Sequence, residues 1–336
     1  MRPLRRKTSA RSAGMSGEPI LVSLFADCGG SSLGYRWAGF RELLAVEWDG
    51  NVVETFRLNF PGVPVWKRDI RKIRGEEILG FCSLRKGELD LLDGSPPCQG
   101  YSTAGKRVVT DERNDLFREN IRLIGELQPK IFVIENVSGM IKGKMKGIFK
   151  EYMKSLKSLS YKVKCKLMNA KYYGVPQSRQ RLIWIGVRND LDMEPSYPEP
   201  YRNVITVGHA WTGVVNKTFC RRPTGNLVNL YYEKLKPGIS YSSGPGFSTK
   251  RLSFYKPSNT LPKTIKNGLS LIMHPTECRS ITIEEAKRLQ TFPDDFMLFG
   301  EFEEQWAGIG NSVPPRMMEA IAGHIRDRIL SSVCNN

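Results

Sequence analysis

Five short apolar runs, each emptying into a polar turn, constrain this chain more than any other feature of its sequence. They are Ile20–Leu24, Leu43–Val46, Leu89–Leu92 (interrupted by Asp90), Ile131–Ile134 and Leu182–Val187. Runs of this length bounded by turn residues read as strands. Strands separated by connections long enough for helices favour a doubly wound α/β sheet. Such a sheet gathers the turns that follow its strands along one edge, where ligands bind. The turns here are Phe25-Ala26-Asp27-Cys28-Gly29-Gly30, Glu47-Trp48, Asp93 through Ser102, and Glu135-Asn136-Val137.

At 336 residues the chain can bury an ordinary core and still carry a second, smaller domain. No apolar stretch approaches a membrane-spanning length and no signal-peptide core begins the chain, so an intracellular protein, cytoplasmic or nucleoid-associated, is expected. Its seven cysteines are widely spaced and form no CxxC pair. Neither a disulfide framework nor a metal site is expected. The net charge of +17 favours a polyanionic partner, which by charge alone is DNA, RNA or a membrane surface. Residues 1–17 hold five basic residues among Ser, Ala and Gly and read as a flexible tail.

Around the first turn, Gly29 and Gly30 permit a tight passage from strand to helix and close approach to a cofactor. Glu47 is placed to accept hydrogen bonds from ribose hydroxyls, Trp48 to cover an adenine, and Asp69-Ile70 to offer a purine a carboxylate and an apolar face. Each of these also suits plain core packing, and the loop lacks the GxGxxG of a dinucleotide site. Cys98 follows Pro96-Pro97 and precedes Gln99-Gly100, a rigid presentation of a thiol at a strand end. It is either a nucleophile, which would need activation to the thiolate, or a packing residue. Glu135 could donate a proton and Asn136 could arrange nearby groups, or both are ordinary residues after a core strand. Arg179 and Arg181 alternate along an extended segment and are expected to face the same way.

Together these residues resemble the DNA C5-cytosine methyltransferase family across most of residues 20–330. The resemblance rests on FADCGG at 25–30, SPPCQGYS at 95–102, ENV at 135–137, QSRQR at 177–181 and GNSVPP at 310–315, in that order, with RSITIEEAKRLQTFPDDF at 279–296 in support. It implies a Rossmann-like catalytic domain with a smaller DNA target-recognition domain, S-adenosylmethionine as methyl donor, and double-stranded DNA as substrate. It further implies that Cys98 attacks cytosine C6, that Glu135 protonates N3, and that Arg179 fixes the base and the acid, with Arg181 structural. Phe25, Gly29, Gly30, Glu47, Trp48, Asp69, Ile70, Leu116, Asn311 and Val313 are the implied cofactor-side residues. The chain departs from the family pattern at Asp27, where FxGxGG has its first glycine, and at Gly308, where a glutamine is common.

The chemistry requires the base to leave the duplex. Ser102, Lys106, Arg107 and Arg113 are candidate phosphate contacts on a mobile loop. Residues 191–275 hold 11 basic residues and four acids, a net +7 that suits a recognition domain. Within it Arg221, Arg222, Tyr231, Tyr232, Lys234, Lys250 and Arg251 are candidate DNA contacts. The expected layout is a catalytic domain at 18–190, recognition at 191–275, a hinge at 276–307 and a return to the catalytic domain at 308–330. Lys150, Lys154 and Lys157 read as a solvated helix face. Restriction protection, with a cognate restriction endonuclease, is implied by the resemblance. An RNA cytosine methyltransferase and a noncatalytic DNA-binding homologue are the alternatives.

Overall fold

The expected runs lie within strands β1 (Ile20–Leu24), β2 (Arg41–Glu47), β4 (Leu91–Gly94), β5 (Ile131–Val137) and β8 (Gln180–Arg188), joined by β3 (Val65–Lys67), β6 (Tyr161–Asn169) and the short β7 (Gln177–Ser178). Only the third run is displaced, starting at Leu91 rather than Leu89. Asp90 explains this: its carboxylate accepts from the Ile20 amide at 2.8 Å and from Lys130 Nζ at 2.7 Å, tying the residue before the strand to its neighbours. The computed structural model describes residues 17–97, 115–141, 145–216, 218, 220, 226–244, 247–264 and 272–333. The tail through residue 16, Cys98, Ser102, Lys106, Arg107, Arg113, Arg221 and Arg222 lie outside the described residues.

The main sheet has the order β3-β2-β1-β4-β5-β8-β6. Strands β3 to β5 run parallel, and β8 and β6 close the sheet antiparallel. The chain winds outward from β1 to β3 and then returns to place β4 on the other side of β1. This reversal opens a crevice beyond the carboxyl ends of β1 and β4. The FADCGG turn and the SPP turn therefore meet there, joined by a Ser95 amide donating to the Leu24 carbonyl at 3.4 Å.

Alternation along each strand supplies two cores. On one face Val22, Leu24, Phe132, Ile134, Leu182 and Trp184 are buried against helices α4 (Asp115–Leu127) and α5 (Lys146–Ser158). On the other, Leu21, Ile131, Val133, Ile183, Ile185 and Val187 lie under α1 (Gly30–Trp37) and α10 (Pro315–Ile325). Lys150, Lys154 and Lys157 are exposed on α5, which buries Tyr152 and Leu156 inward. Among the described residues, no helix is long and apolar enough to cross a membrane.

A smaller unit is built from α6 (Val207–Ala210), α7 (Asn226–Glu233) and a three-stranded sheet of β9 (Ser240–Gly244), β10 (Phe247–Arg251) and β12 (Ile272–Met273). The two-residue β11 (Ser258–Asn259) pairs instead with β7. Residues 276–307 are more than a connector. They carry α8 (Ile283–Gln290) and most of α9 (Phe302–Asn311), whose Ile283, Leu289, Trp306 and Ile309 share an apolar cluster with Tyr231, Leu252 and Ile272. Arg279 grips both oxygens of buried Glu285 at 2.8 Å each, and Glu285 caps α8 with Thr282.

The C-terminal segment returns by packing α10 on α1, and the contact is tight because Gly34 has no side chain. A Cβ there would lie 2.6 Å from Met318 Cβ and 2.6 Å from the Pro315 carbonyl. Gly34→Ala should therefore destabilise the fold by about 1–3 kcal/mol through overpacking. Gly80→Ala, in α3 (Gly75–Cys82) with nothing within 4 Å of the new Cβ, should be neutral or stabilise by up to about 1 kcal/mol. Urea midpoints of the two variants check this contrast; equal midpoints would overturn it.

Candidate active site

The β1 turn is held by unusual backbone and by one carboxylate. Phe25 and Asp27 sit at φ of 56° and 50°, and Gly29 caps α1 at φ 91°. Glu47, at the end of β2, accepts from the Asp27 amide at 3.0 Å, the Trp48 amide at 2.7 Å and the Asp49 amide at 3.0 Å. It thus ties the turns after β1 and β2 together, and burial pushes its carboxyl above the usual range. Trp48 beside it is 67% exposed, a large indole with no packing role. Ile70 is buried in the apolar cluster against which Phe25 and Leu116 pack. Asp69 caps the short helix Ile70–Lys72 and pairs with half-exposed Arg71 at 2.7 Å, which holds its carboxyl below the usual range.

The expected cofactor residues at the back of this turn also make close contacts within the protein. A Cβ on Gly30 would lie 2.4 Å from the Val313 carbonyl, and one on Gly29 would lie 2.3 Å from the Phe60 ring. On their Cβ side these glycines admit close approach of Val313 and Phe60. Val313 is buried in the α1–α10 core, while the Asn311 residue is exposed and its carbonyl is taken by Arg179. An exposed indole, an apolar floor and carboxylates at neighbouring strand ends fit a purine nucleoside with a cationic tail.

On the other side of the crevice, Glu135 lies near the end of the buried part of β5, before buried Asn136. Its cross-strand partner is Ile183, which places Arg181, two residues earlier on β8, on the same face and diagonal to it. Arg181 Nε lies 2.6 Å from Glu135 Oε1. The two make a close charge contact rather than an aligned hydrogen bond, so this buried oxygen keeps its accepting capacity. The neighbouring Asn136 donates Nδ2 to the Pro96 carbonyl at 3.4 Å, fastening the turn before Cys98 to the Glu135 strand.

The two arginines bond to partners other than those expected. Arg179 is 1% exposed and donates Nη1 to the Gly310 carbonyl and Nη2 to the Asn311 carbonyl, both at 2.9 Å. It sits in the one-residue break between β7 and β8, so the alternation that predicts a shared direction does not hold there. Arg179 clamps the returning segment; Arg181 meets the acid. Two buried glutamines extend the clamp: Gln177 Nε2 donates to Gln290 Oε1, and Gln290 Nε2 donates to the Ser312 carbonyl, each at 2.5 Å. Both lie inside the QSRQR and RSITIEEAKRLQ motifs, so their motif membership was the available signal.

In the smaller unit, one candidate DNA contact is a core residue and a second is half-buried and bonded within the fold. Tyr231 is 0% exposed and donates its hydroxyl to the His274 carbonyl at 3.0 Å. Arg251 stacks on the Tyr231 ring at 4.0 Å and donates to the carbonyls of Leu235 and Pro275, each at 2.9 Å. Both are spent on closing helix and loop ends. Tyr232 is 68% exposed, Lys234 is exposed, and Lys250 is half-buried with its ammonium pKa lowered by that burial. Among the described residues, no group of three or more His, Cys, Asp or Glu could hold a metal ion.

Beneath the SPP turn, burial pushes Asp93 up to about 8, and the Tyr35 hydroxyl donates to its Oδ1 at 3.0 Å. An acid with a raised folded pKa contributes stability that is full below its unfolded pKa and is lost as pH rises through the folded one. Stability should therefore fall between about pH 4 and pH 8, by up to several kcal/mol for Asp93. Asp93→Asn, which keeps an acceptor for Tyr35, should flatten that slope in denaturant titrations across this window. An unchanged slope would remove Asp93 as its source.

The C-5 cytosine-specific DNA methylase family model matches residues 20–219 and 228–327. The Type II methyltransferase M1.HphI of Haemophilus parahaemolyticus is 33% identical over 319 residues, covering 90% of this chain and 85% of that protein. M.XorII of Xanthomonas oryzae pv. oryzae is 32% identical over 359 residues, covering 91% and 84%. An E. coli prophage-encoded protein, described as a DNA modification methyltransferase, superposes with a TM-score of 0.78 at 27% identity, covering 93% of this chain and 99% of that one. Spodoptera frugiperda DNMT2 shares the fold, with a TM-score of 0.66 at 17% identity. The chain belongs to the C-5 cytosine-specific DNA methylases and is an S-adenosylmethionine-dependent enzyme that methylates cytosine C5 in DNA at specific sites.

Proposed function

We propose that Cys98 is the nucleophile of this reaction, that Glu135 acts at cytosine N3, and that Arg181 rather than Arg179 orients that acid. The Glu135–Arg181 contact at 2.6 Å, on the strand tied to the Pro96 turn, carries the reading. A cytosine flipped out of the duplex exposes both ring faces to these groups. The Cys98 thiolate bonds to C6, and the C5–C6 electron pair makes C5 nucleophilic while Glu135 supplies a proton to N3. S-adenosylmethionine supplies, when bound, the electrophilic methyl of a sulfonium. Once C5 is methylated, its proton passes to water, the released pair restores the C5–C6 double bond and expels Cys98 from C6 as thiolate, and N3 returns its proton to Glu135.

Phe25, Glu47, Trp48, Ile70 and Leu116 would hold the cofactor, with Asp69 joining once Arg71 swings aside. Gly29, Gly30, Asn311 and Val313 build the wall behind it. Residues 18–190 and 308–330 act as the catalytic domain and 191–275 as the target-recognition domain, with 276–307 as the joint between them. Tyr232 and Lys234 are the exposed recognition candidates; Lys106, Arg107, Arg113, Arg221, Arg222 and Lys250 join them on charge, and Ser102 by the family resemblance. The relatives' designation as Type II methyltransferases supports a role in protecting host DNA from a cognate restriction endonuclease, a role that would be carried out at the nucleoid.

Labelled methyl transfer to DNA duplexes, with matched RNA and base-resolved mapping, tests the reading. Cys98→Ser should abolish transfer while retaining DNA binding; normal turnover would sink the assignment. The arginines should separate. Arg181→Lys should lower kcat by roughly 100-fold and shift its pH profile, as expected for loss of acid-catalyst positioning. Arg179→Met should instead cost about 3 kcal/mol of stability through lost charge-assisted bonds. The opposite pattern in kinetics and melting would restore the catalytic role to Arg179.

A further inference from the structure

The cofactor crevice holds an acid for which the family pattern has a glycine. Asp27 adopts φ 50°, a left-handed conformation that Asp tolerates better than most side chains. Its carboxyl is partly buried. Ser312 Oγ donates to its Oδ2 at 3.0 Å, and the Cys28 amide also attends it. Glu47 faces it from the end of β2, receiving the Asp27 amide at 3.0 Å. The buried Cys28 thiol lies on its own turn, and the nearby cations are Lys263, which is exposed, and Arg179, which is spent on main-chain carbonyls. No salt bridge to Asp27 occurs among the described residues. Two carboxylates thus share one recess, and among the described residues no cation is bonded to either.

We propose that Asp27 is a specificity-determining residue that makes the cofactor site a charge filter, favouring the sulfonium methyl donor over its neutral thioether product. The inference rests on the cofactor placement given above. The donor carries a sulfonium, an ammonium and a carboxylate, a net charge of +1. The product has lost the sulfonium charge and is net neutral. A carboxylate in a partly desolvated recess distinguishes the two by that single charge, and it does so only when ionised. Burial and the Glu47 charge push Asp27 up to about 7, so the filter strengthens as pH rises through neutrality. By linkage, seating a cation beside a protonated Asp27 expels its proton. The consequence for turnover is weaker retention of spent cofactor.

The test is calorimetric binding of S-adenosylmethionine and S-adenosylhomocysteine to the full chain from pH 5.5 to 8.5. Wild type is compared with Asp27→Asn and Asp27→Gly, both compatible with a positive φ. The ligands' own groups titrate alike against all three proteins, so the contrast isolates Asp27. Wild-type preference for the sulfonium ligand should grow about tenfold across the range, as expected for one added unit charge. Its binding near pH 7 should release protons, seen as a dependence of heat on buffer ionisation. Both variants should show a flatter preference and lose that release. A wild-type-like pH dependence in Asp27→Asn would overturn the proposal, as would absence of proton release in wild type alone. Failure of wild type to bind either ligand would instead overturn the cofactor placement.

Discussion

A buried guanidinium bonded to main-chain carbonyls organises this molecule. Arg179 is 1% exposed, and its bonds go to main-chain carbonyls of Gly310 and Asn311. Burial drives its pKa well below the usual arginine range. Burying a charge is costly unless its donors are satisfied, so the cost is met only when the returning segment is seated. That makes Arg179 a lock between the central sheet and residues 131 and 132 positions later in the chain. Gly30, Gln177 and Gln290 converge on the same segment, and Ser312 passes the contact on to Asp27 and Cys28. The entry to β8 and the turn after β1 keep their relative positions because this one segment is held from several directions.

The parallel sheet was legible because its strands are buried on both faces and read as continuous apolar runs. The chemistry-bearing turns were legible for a related reason: each begins where an apolar run stops. Long-range side-chain destinations were not. Nothing in the local pattern of Gln177 to Arg181 says that one arginine reaches a carboxylate on β5 and the other a segment near residue 310. The break between β7 and β8 decides it, and a one-residue break leaves no mark on composition. Tyr231 and Arg251 misled for the opposite reason. A tyrosine and an arginine in a basic region suit a nucleic-acid face, yet amphipathic side chains are equally good at sealing a small core. In a unit this small, the carbonyls at helix ends had first claim on them.

The electrostatics run in two directions at once. Over the whole surface the chain carries +17, a field that draws in DNA phosphates. At the carboxyl edge of the sheet the local sign changes, with Asp27, Glu47, Asp93 and Glu135 all gathered around one crevice. Three of these are pushed upward by burial, and Asp93 feels both Glu42 and Glu135 as additional negative charge. Crowded acids at a strand edge store free energy that a bound cation or a shared proton releases. A DNA-modifying enzyme with a cationic methyl donor has use for that arrangement. Long-range attraction brings the polyanion to the protein, and the acidic recess stays selective for the one positively charged ligand. A uniformly basic crevice would recruit phosphate into the cofactor site, so the sign reversal between surface and crevice is itself part of how the two ligands are kept apart.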